Sequence, residues 1–285
     1  MRLISCDPLR TLNFPPHSSL KSEQLFDKRQ ELIEADWVLY PQYWQVNVLS
    51  FALRKRIFPS LPTYLIGHNK IEMSRAFELV APTHTPWTLI RANTEHQAQE
   101  VWDSMGLPFV AKLVKSSMGE GVFLIENFAD WQRYLKVADV IYAQEYLPID
   151  RDLRIVWIGD QIAGGYWRLQ SPDGFHNNVA RGGQAMAGPI PTAATELVTR
   201  IARALGIDHA GFDIAMVDNH PYILEFNRLF GTQGINTMIG DTSPIILDYL
   251  RRRMHEDEPP HPRAPDRRGA LIGARRVRRR PARVA

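Results

Sequence analysis

Two apolar runs around a four-residue polar turn constrain this chain more than any other feature. Gly211-Phe-Asp-Ile-Ala-Met-Val217 and Tyr222-Ile-Leu-Glu-Phe-Asn227 flank Asp218-Asn-His-Pro221. β-branched and aromatic runs on either side of such a turn form a hairpin. Folding it about residue 219 or 220 brings Asp213 close to opposite Glu225, with Asn227 two residues on along the same face as Glu225. Phe212, Ile214, Leu224 and Phe226 place the hairpin in a buried sheet. Facing carboxylates repel, and an apolar hairpin tolerates them only with a cation or a shared proton. Two carboxylates and an amide oxygen are hard ligands, suited to Mg²⁺ or Mn²⁺ shared with phosphate oxygens. Asp213, Glu225 and Asn227 are therefore candidate metal ligands.

The rest of the chain alternates strands and helices. Leu3–Cys6 and Trp37–Tyr40 suit buried strands, with a helix through Leu25, Phe26, Arg29, Leu32 and Ile33 between them. Tyr43–Arg54 reads as a helix and Thr63–Ile66 as a short strand, giving a small βαβ-type unit. Helical spacing recurs at Met73, Ala76, Phe77, Val80, at Ala98, Val101, Trp102, Met105, and at Trp131, Tyr134, Leu135, Ala138. Phe109–Val114 and Val140–Glu145 are strands, and Leu153–Ile158 with Gln161–Arg168 reads as a hairpin around Gly159-Asp160. Leu197, Val198, Ile201 and Leu205 mark a helix that Thr192 caps and Gly206 ends.

One loop has the composition of an anion cradle. Lys112 ends a strand and leads through Ser116, Ser117, Gly119 and Gly121 into a second strand, Val122–Ile125. Small residues let backbone N–H groups approach an anion, and a strand lysine adds a point charge for phosphate. The missing Gly-Lys-Ser/Thr ending and the strand that follows exclude a P-loop. Taken alone, the segment reads as readily as a plain glycine-containing hairpin.

In order and spacing, these segments from about Gly67 to Leu250 resemble an ATP-grasp ligase of the RimK, glutamate-ligase-like type. His68-Asn-Lys70 resembles the lysine that precedes the first helix of that fold. Pro108-Phe-Val-Ala-Lys112 with the Ser116–Gly121 loop resembles its second lysine and glycine loop over the phosphates. Gln144-Glu-Tyr-Leu147 resembles the adenine hinge, with Glu145 and Tyr146 at the nucleotide positions. Asp152-Leu-Arg154 resembles the Asp-x-Arg motif, whose aspartate approaches the ribose. Arg168 resembles the arginine facing the reacting phosphoryl group. His176-Asn-Asn178 and Arg181-Gly-Gly183 resemble the Arg-x-Asn and Arg-Gly-Gly segment, and Asp213, Glu225 and Asn227 resemble the metal triad.

The resemblance implies an α+β ATP-grasp fold, two α+β subdomains clasping ATP. It divides the chain into a βαβ-like N-terminal unit (1–66), the ATP-grasp domain (67–254) and a tail (255–285). It implies ATP with Mg²⁺ or Mn²⁺ as cofactors. The partners it implies are a carboxylate and an amine substrate, such as glutamate added to a peptide, protein or small molecule. Arg168 and Arg181 would be the catalytic residues. Lys70, Lys112, Ser116, Ser117, Gly119, Gly121, Glu145, Tyr146, Asp152, Arg154, His176 and Asn178 would hold the nucleotide. Three features depart from the family. Asn227-Arg-Leu-Phe-Gly231 stands where Asn-Ala-Ser-Pro-Gly is usual, His176 stands where arginine is common, and the N-terminal part is short.

Composition excludes other classes. Apolar residues make 45% and charged residues 23%, as in ordinary globular proteins. No apolar run nears the ~18 residues of a bilayer span, and the first residues lack a secretory pattern, so a cytoplasmic protein is expected. The single cysteine, Cys6, excludes an intramolecular disulfide framework. Residues 251–285 carry 12 arginines against 4 acidic residues, whereas the preceding 250 hold 22 basic and 27 acidic side chains. The Pro- and Arg-rich tail reads as disordered, either a solvated extension or an arm for nucleic acid or another polyanion. A catalytically altered nucleotide-binding scaffold is the other alternative to a ligase.

Overall fold

The computed structural model describes residues 1–114, 121–169, 184–230 and 237–254, with Gln184 described in its backbone only. Three sheets follow one another along the chain. The first is parallel, with β1 (Leu3–Ser5), β2 (Ser18–Ser19), β3 (Trp37–Leu39) and β4 (Arg56–Phe58) in the order β2-β1-β3-β4. Its fourth strand is Arg56–Phe58 and not Thr63–Ile66, which lies within the helix Leu61–Ile66. The reason is local: Ser60 caps that helix by accepting from the Thr63 N–H, and Pro62 sits in its first turn. The helix expected from Leu25 is shorter, Arg29–Glu34, and Phe26 is exposed. Tyr43–Asn47 is α-helical and passes into a π-helical turn, Val48–Ala52.

The second sheet is antiparallel. It comprises β5 (Thr88–Ala92), β6 (Phe109–Lys112), β7 (Val122–Ile125) and β8 (Val140–Glu145) in the order β5-β8-β6-β7. Alternation splits its faces. Phe109, Ala111, Ile141 and Ala143 pack against Ala98 and Val101 of the helix Glu95–Ser104 and Trp131 and Tyr134 of the helix Phe128–Leu135. Lys112, Tyr142 and Gln144 are left for the opposite face.

The third sheet carries β9 (Arg151–Ile158), β10 (Gln161–Leu169), β11 (Gln184–Met186), β12 (His209–Val217) and β13 (His220–Asn227), antiparallel in the order β11-β10-β9-β12-β13. On one face Leu153, Ile155, Trp157, Phe212, Ile214 and Phe226 pack with the helices Lys70–Val80 and Thr192–Leu205. On the other, Val156, Ile158 and Tyr166 meet the helix Ser243–Arg253 and Leu3, Trp37, Leu39 and Phe58 of the parallel sheet. Thr192 opens its helix but does not cap it. Pro191 holds the N-cap position and no side-chain cap forms, whereas Gly206 ends the helix in the left-handed region, φ 66°.

A buried carboxylate ties the N-terminal residues to this sheet. Asp208 accepts from the Ser60 N–H at 2.7 Å, the Thr63 hydroxyl at 3.2 Å and the Tyr249 hydroxyl at 3.4 Å. Among the described residues no helix is long and apolar enough to cross a membrane. The arginine-rich tail, 255–285, lies outside the described residues.

Candidate active site

The hairpin β12–β13 turns at Asp218 and Asn219, both at positive φ, so Val217 pairs with His220. That turn alone would place Leu224 opposite Asp213. A bulge between the pairs Asp213/Glu225 and Ile214/Ile223 takes up Leu224 as the extra residue and sets the two carboxylates directly across from each other. The expected pairing therefore forms through an irregularity that hydrophobic alternation does not announce.

What offsets the repulsion was not legible at this point of the sequence. Asp152 and Arg154 are two apart on β9 and so share a face. Register places Arg168 of β10 opposite Asp152, and Asp213 of β12 opposite Arg154. All four are buried. Arg154 donates to both Asp213 oxygens, at 2.5 and 3.1 Å. Arg168 donates to both Asp152 oxygens at 2.7 Å and reaches Asp213 Oδ2 at 3.0 Å. Burial alone would raise the Asp213 pKa, but the two guanidiniums outweigh it and hold the carboxyl below the usual range. Burial also opposes the charge on Arg168, and Asp213 and Asp152 reverse that effect.

Glu225 is more open. Its side chain is 33% exposed and pairs with Lys70 at 3.7 Å. Asn227 directs its amide at both carboxylates, 3.5 Å from Asp213 and from Glu225. Lys70 begins its helix, whose N-cap Asn69 accepts from the Ile71 N–H at 2.8 Å. Lys112 comes from the second sheet. It is half-buried, and desolvation pulls its pKa down while Glu225 and Asp213 pull it back up. Its ammonium donates to Gln144 Oε1 at 2.7 Å.

Gln144, named in the sequence only as the first residue of the hinge motif, is the partner of Lys112. Its amide nitrogen donates to Thr88 Oγ1 at 2.9 Å, which fixes the oxygen toward Lys112. Tyr142, two residues back on the same face, has its ring centre 5.7 Å from the Lys112 ammonium and its hydroxyl 2.7 Å from Ser74. The i, i+2 spacing of two polar residues on an otherwise apolar strand was the available signal.

The remaining expected residues divide in two. Glu145 ends β8, and its carboxylate accepts from the Trp87 N–H at 2.8 Å; Tyr146 follows it. Gly121 takes φ 118°, and its carbonyl accepts from the Leu113 N–H at 2.7 Å, closing the base of the loop. Asp152 is bound to Arg168, and both its oxygens are engaged. Ser116, Ser117, Gly119, His176, Asn178 and Arg181 lie outside the described residues.

The donor set fits a hard divalent cation. Glu225 has lone pairs facing solvent and Asp213 retains acceptor capacity beyond its three arginine bonds, whereas the Asn227 amide turns its NH₂ toward both carboxylates and would have to rotate to offer its oxygen to an ion. Among the described residues no group of three or more His, Cys, Asp or Glu forms a metal cluster.

Comparison with known proteins gives the same outline. A family model for the RimK-like ATP-grasp domain matches residues 70–250. A probable alpha-L-glutamate ligase 1 of Hahella chejuensis is 29% identical over 161 residues, 54% of this chain and 53% of that protein. The chain spans about half the length of the curated relatives it matches. Among solved structures, a RimK domain ATP-grasp protein of Sphaerobacter thermophilus superposes with a TM-score of 0.64 at 14% identity, over 87% of this chain and 99% of that one. D-alanine–D-alanine ligase of Bacillus anthracis complexed with ATP superposes with a TM-score of 0.66 at 13% identity, over 89% and 98%. At these identities the superpositions speak for the fold.

Proposed function

The chain belongs to the RimK-like ATP-grasp family, and on that premise we propose that it is an ATP-dependent carboxylate–amine ligase. The observation that carries this reading is the pairing of Lys70 with Glu225 of the Asp213–Glu225–Asn227 hairpin, with Lys112, from another sheet, within electrostatic reach of Glu225 and Asp213. Two cations and a hard-ligand set at one place match the needs of a triphosphate.

In this reading ATP lies between the second and third sheets, with adenine at the Gln144–Leu147 hinge. Lys70 and Lys112 hold phosphate oxygens, and Gln144 keeps the Lys112 ammonium in place. Glu225, Asn227 and the remaining acceptor capacity of Asp213 would hold Mg²⁺ or Mn²⁺. That ion, when bound, neutralises phosphate charge. A substrate carboxylate oxygen attacks the γ-phosphorus, the bond to ADP breaks, and an acyl phosphate forms. An amine nitrogen then attacks the acyl carbon, phosphate leaves with the bonding pair, and the amine proton passes to solvent or base, leaving an amide.

Arg168 is locked by Asp152 and Asp213 through Nε and Nη2, so its charge is fixed before substrate arrives. A charge fixed in this way stabilises a developing oxyanion without reorganisation. Ser116, Ser117 and Gly119 would close over the phosphates, and Arg181, His176 and Asn178 would complete the nucleotide side. An amino acid such as glutamate is the substrate suggested by the names of the sequence relatives. The test is ADP release with Mg²⁺ across amino acids and short peptides, with product masses read directly. Product heavier by one amide condensation confirms ligation; ATP binding without any acceptor-dependent ADP across the panel defeats it.

A further inference from the structure

Arg228 follows the Asn227 of the metal hairpin, at the point where the sequence leaves the family pattern. Its backbone is held firmly. Neutral His209 donates from Nδ1 to the Arg228 carbonyl at 2.8 Å, and burial keeps that histidine neutral by lowering its pKa to about 3. The His209 ring stacks on Phe230 with centres 4.6 Å apart. The chain therefore leaves β13 in a fixed direction.

The side chain reaches residues of the N-terminal part. Its guanidinium carbon lies 4.9 Å from the ring centre of Tyr64 and 5.7 Å from that of Tyr43. Tyr43 in turn stacks on His68 at 3.7 Å, two residues before Lys70. The Tyr64 hydroxyl is used by the Pro41 carbonyl at 2.6 Å, so only the ring face meets the guanidinium. Aromatic faces position a guanidinium but accept none of its hydrogen bonds in the plane. Arg228 Nη1 is buried without a hydrogen-bond partner, the only charged side chain in that condition among the described residues. No ion pair of Arg228 occurs among them either.

A guanidinium clamped on its faces, with a buried N–H left unpaired, is a receptor for a planar anion. Its five donors form a fork that matches a carboxylate. Phosphate is the rival occupant, but Lys70 and Lys112 already supply cations to the phosphate side through Glu225 and Asp213. Arg228 instead follows Asn227 in the chain and stands against the rings of Tyr43 and Tyr64. We propose that Arg228 binds a carboxylate of the amino-acid or peptide substrate, one that takes no part in the bond being formed, and so selects substrates that carry such a group. The proposal rests on the ligase reading above and names the substrate class for it.

The test titrates L-glutamate, L-aspartate and diglycine, each beside its carboxamides, into the full chain, with and without Mg²⁺–ATP. Wild type is expected to bind at least one free acid about tenfold or more tightly than the matching amide, the scale of one charge-assisted contact. Arg228→Met should bind acid and amide alike while its Mg²⁺–ATP affinity stays that of wild type. Arg228→Lys keeps a cation over Tyr64, guards against loss of fold, and should recover only part of the preference because it lacks the fork. Retained preference in Arg228→Met, no acid preference for any member in wild type, or a fall in ATP affinity with carboxylate binding intact each overturns the proposal. Failure of wild type to bind ATP would sink the ligase reading instead, and the nucleotide-free titrations would still judge Arg228.

Discussion

Asp213→Asn and Glu225→Gln are the same chemical change at two carboxylates proposed for one ion, yet the structure separates their costs. The Asp213 side chain is 6% exposed and faces Arg154 at 9% and Arg168 at 8%. Replacing one Asp213 oxygen by NH₂ turns a donor toward guanidinium donors and leaves two buried cations with Asp152 alone. Breaking a buried ion pair on one side costs about 3–5 kcal/mol. Glu225 is 33% exposed and meets Lys70 at 3.7 Å, so solvent screening reduces its loss to about 0–1 kcal/mol. With a urea m-value near ~3 kcal/mol/M, the midpoint should fall by roughly 1–2 M for Asp213→Asn and by roughly 0.3 M or less for Glu225→Gln. The assay is urea unfolding followed by fluorescence, without nucleotide or metal, with ADP release measured in parallel. Both variants should lose turnover. The sign with pH follows from the lowered Asp213 pKa: its stabilisation is present above the ordinary aspartate range and disappears as pH falls through the lower folded value. Equal midpoints for the two variants would refute the argument, because the arginines would then not be what holds Asp213 in place.

Lys112→Met should weaken Mg²⁺–ATP binding by about 1.5–3 kcal/mol in calorimetry, the loss of one charge-assisted phosphate contact; unchanged affinity removes Lys112 from the site. Gln144→Leu deprives the half-buried Lys112 ammonium of its acceptor, and about a tenfold weaker ATP titration is expected; an unaltered one shows that the lysine needs no positioning. Burial lowers His209 to about 3 and raises Asp208 to about 6, so on acidification below pH 6 the first loses stability while the second gains it, and the two oppose each other. Asp208→Asn should uncover the histidine and lose up to about 1.4 kcal/mol relative to wild type per pH unit between pH 6 and 4, read from urea midpoints; parallel profiles contradict the pairing. Gly206→Ala should cost about 1 kcal/mol in the same assay, since φ 66° strains a side chain there; a neutral effect would show that the helix end relaxes.

The sequence carried the hairpin, the two lysines and the helix faces because each depends on local periodicity or turn chemistry. Apolar alternation around Asp218-Asn219 was enough to bring Asp213 close to Glu225, but the bulge at Leu224 that sets them directly opposite left no mark. The partners of Asp213 depend on register across three strands. Arg154 is 59 residues away and Arg168 is 45, and both had been assigned only from a resemblance. The edge strands β2, β4 and β5 also escaped notice, since Ser18–Ser19 and Arg56–Phe58 are too short to show a period and Thr88–Ala92 is only partly buried. Thr63–Ile66 misled for the opposite reason, as its strand-like residues follow a capped, proline-started helical turn.

The Asp208 contacts bear on how the protein can be dissected. A fragment begun at Gly67, the boundary suggested by the family resemblance, would delete Ser60 and Thr63 and leave a buried carboxylate with only the Tyr249 hydroxyl. It would also strip Leu3, Trp37, Leu39 and Phe58 from Val156, Ile158 and Leu250, opening an apolar surface to solvent. Such a fragment should aggregate on expression, whereas the two pieces co-expressed should reassemble. The first 66 residues are thus a wall of the same building, and recombinant work on the ATP-grasp part has to carry them.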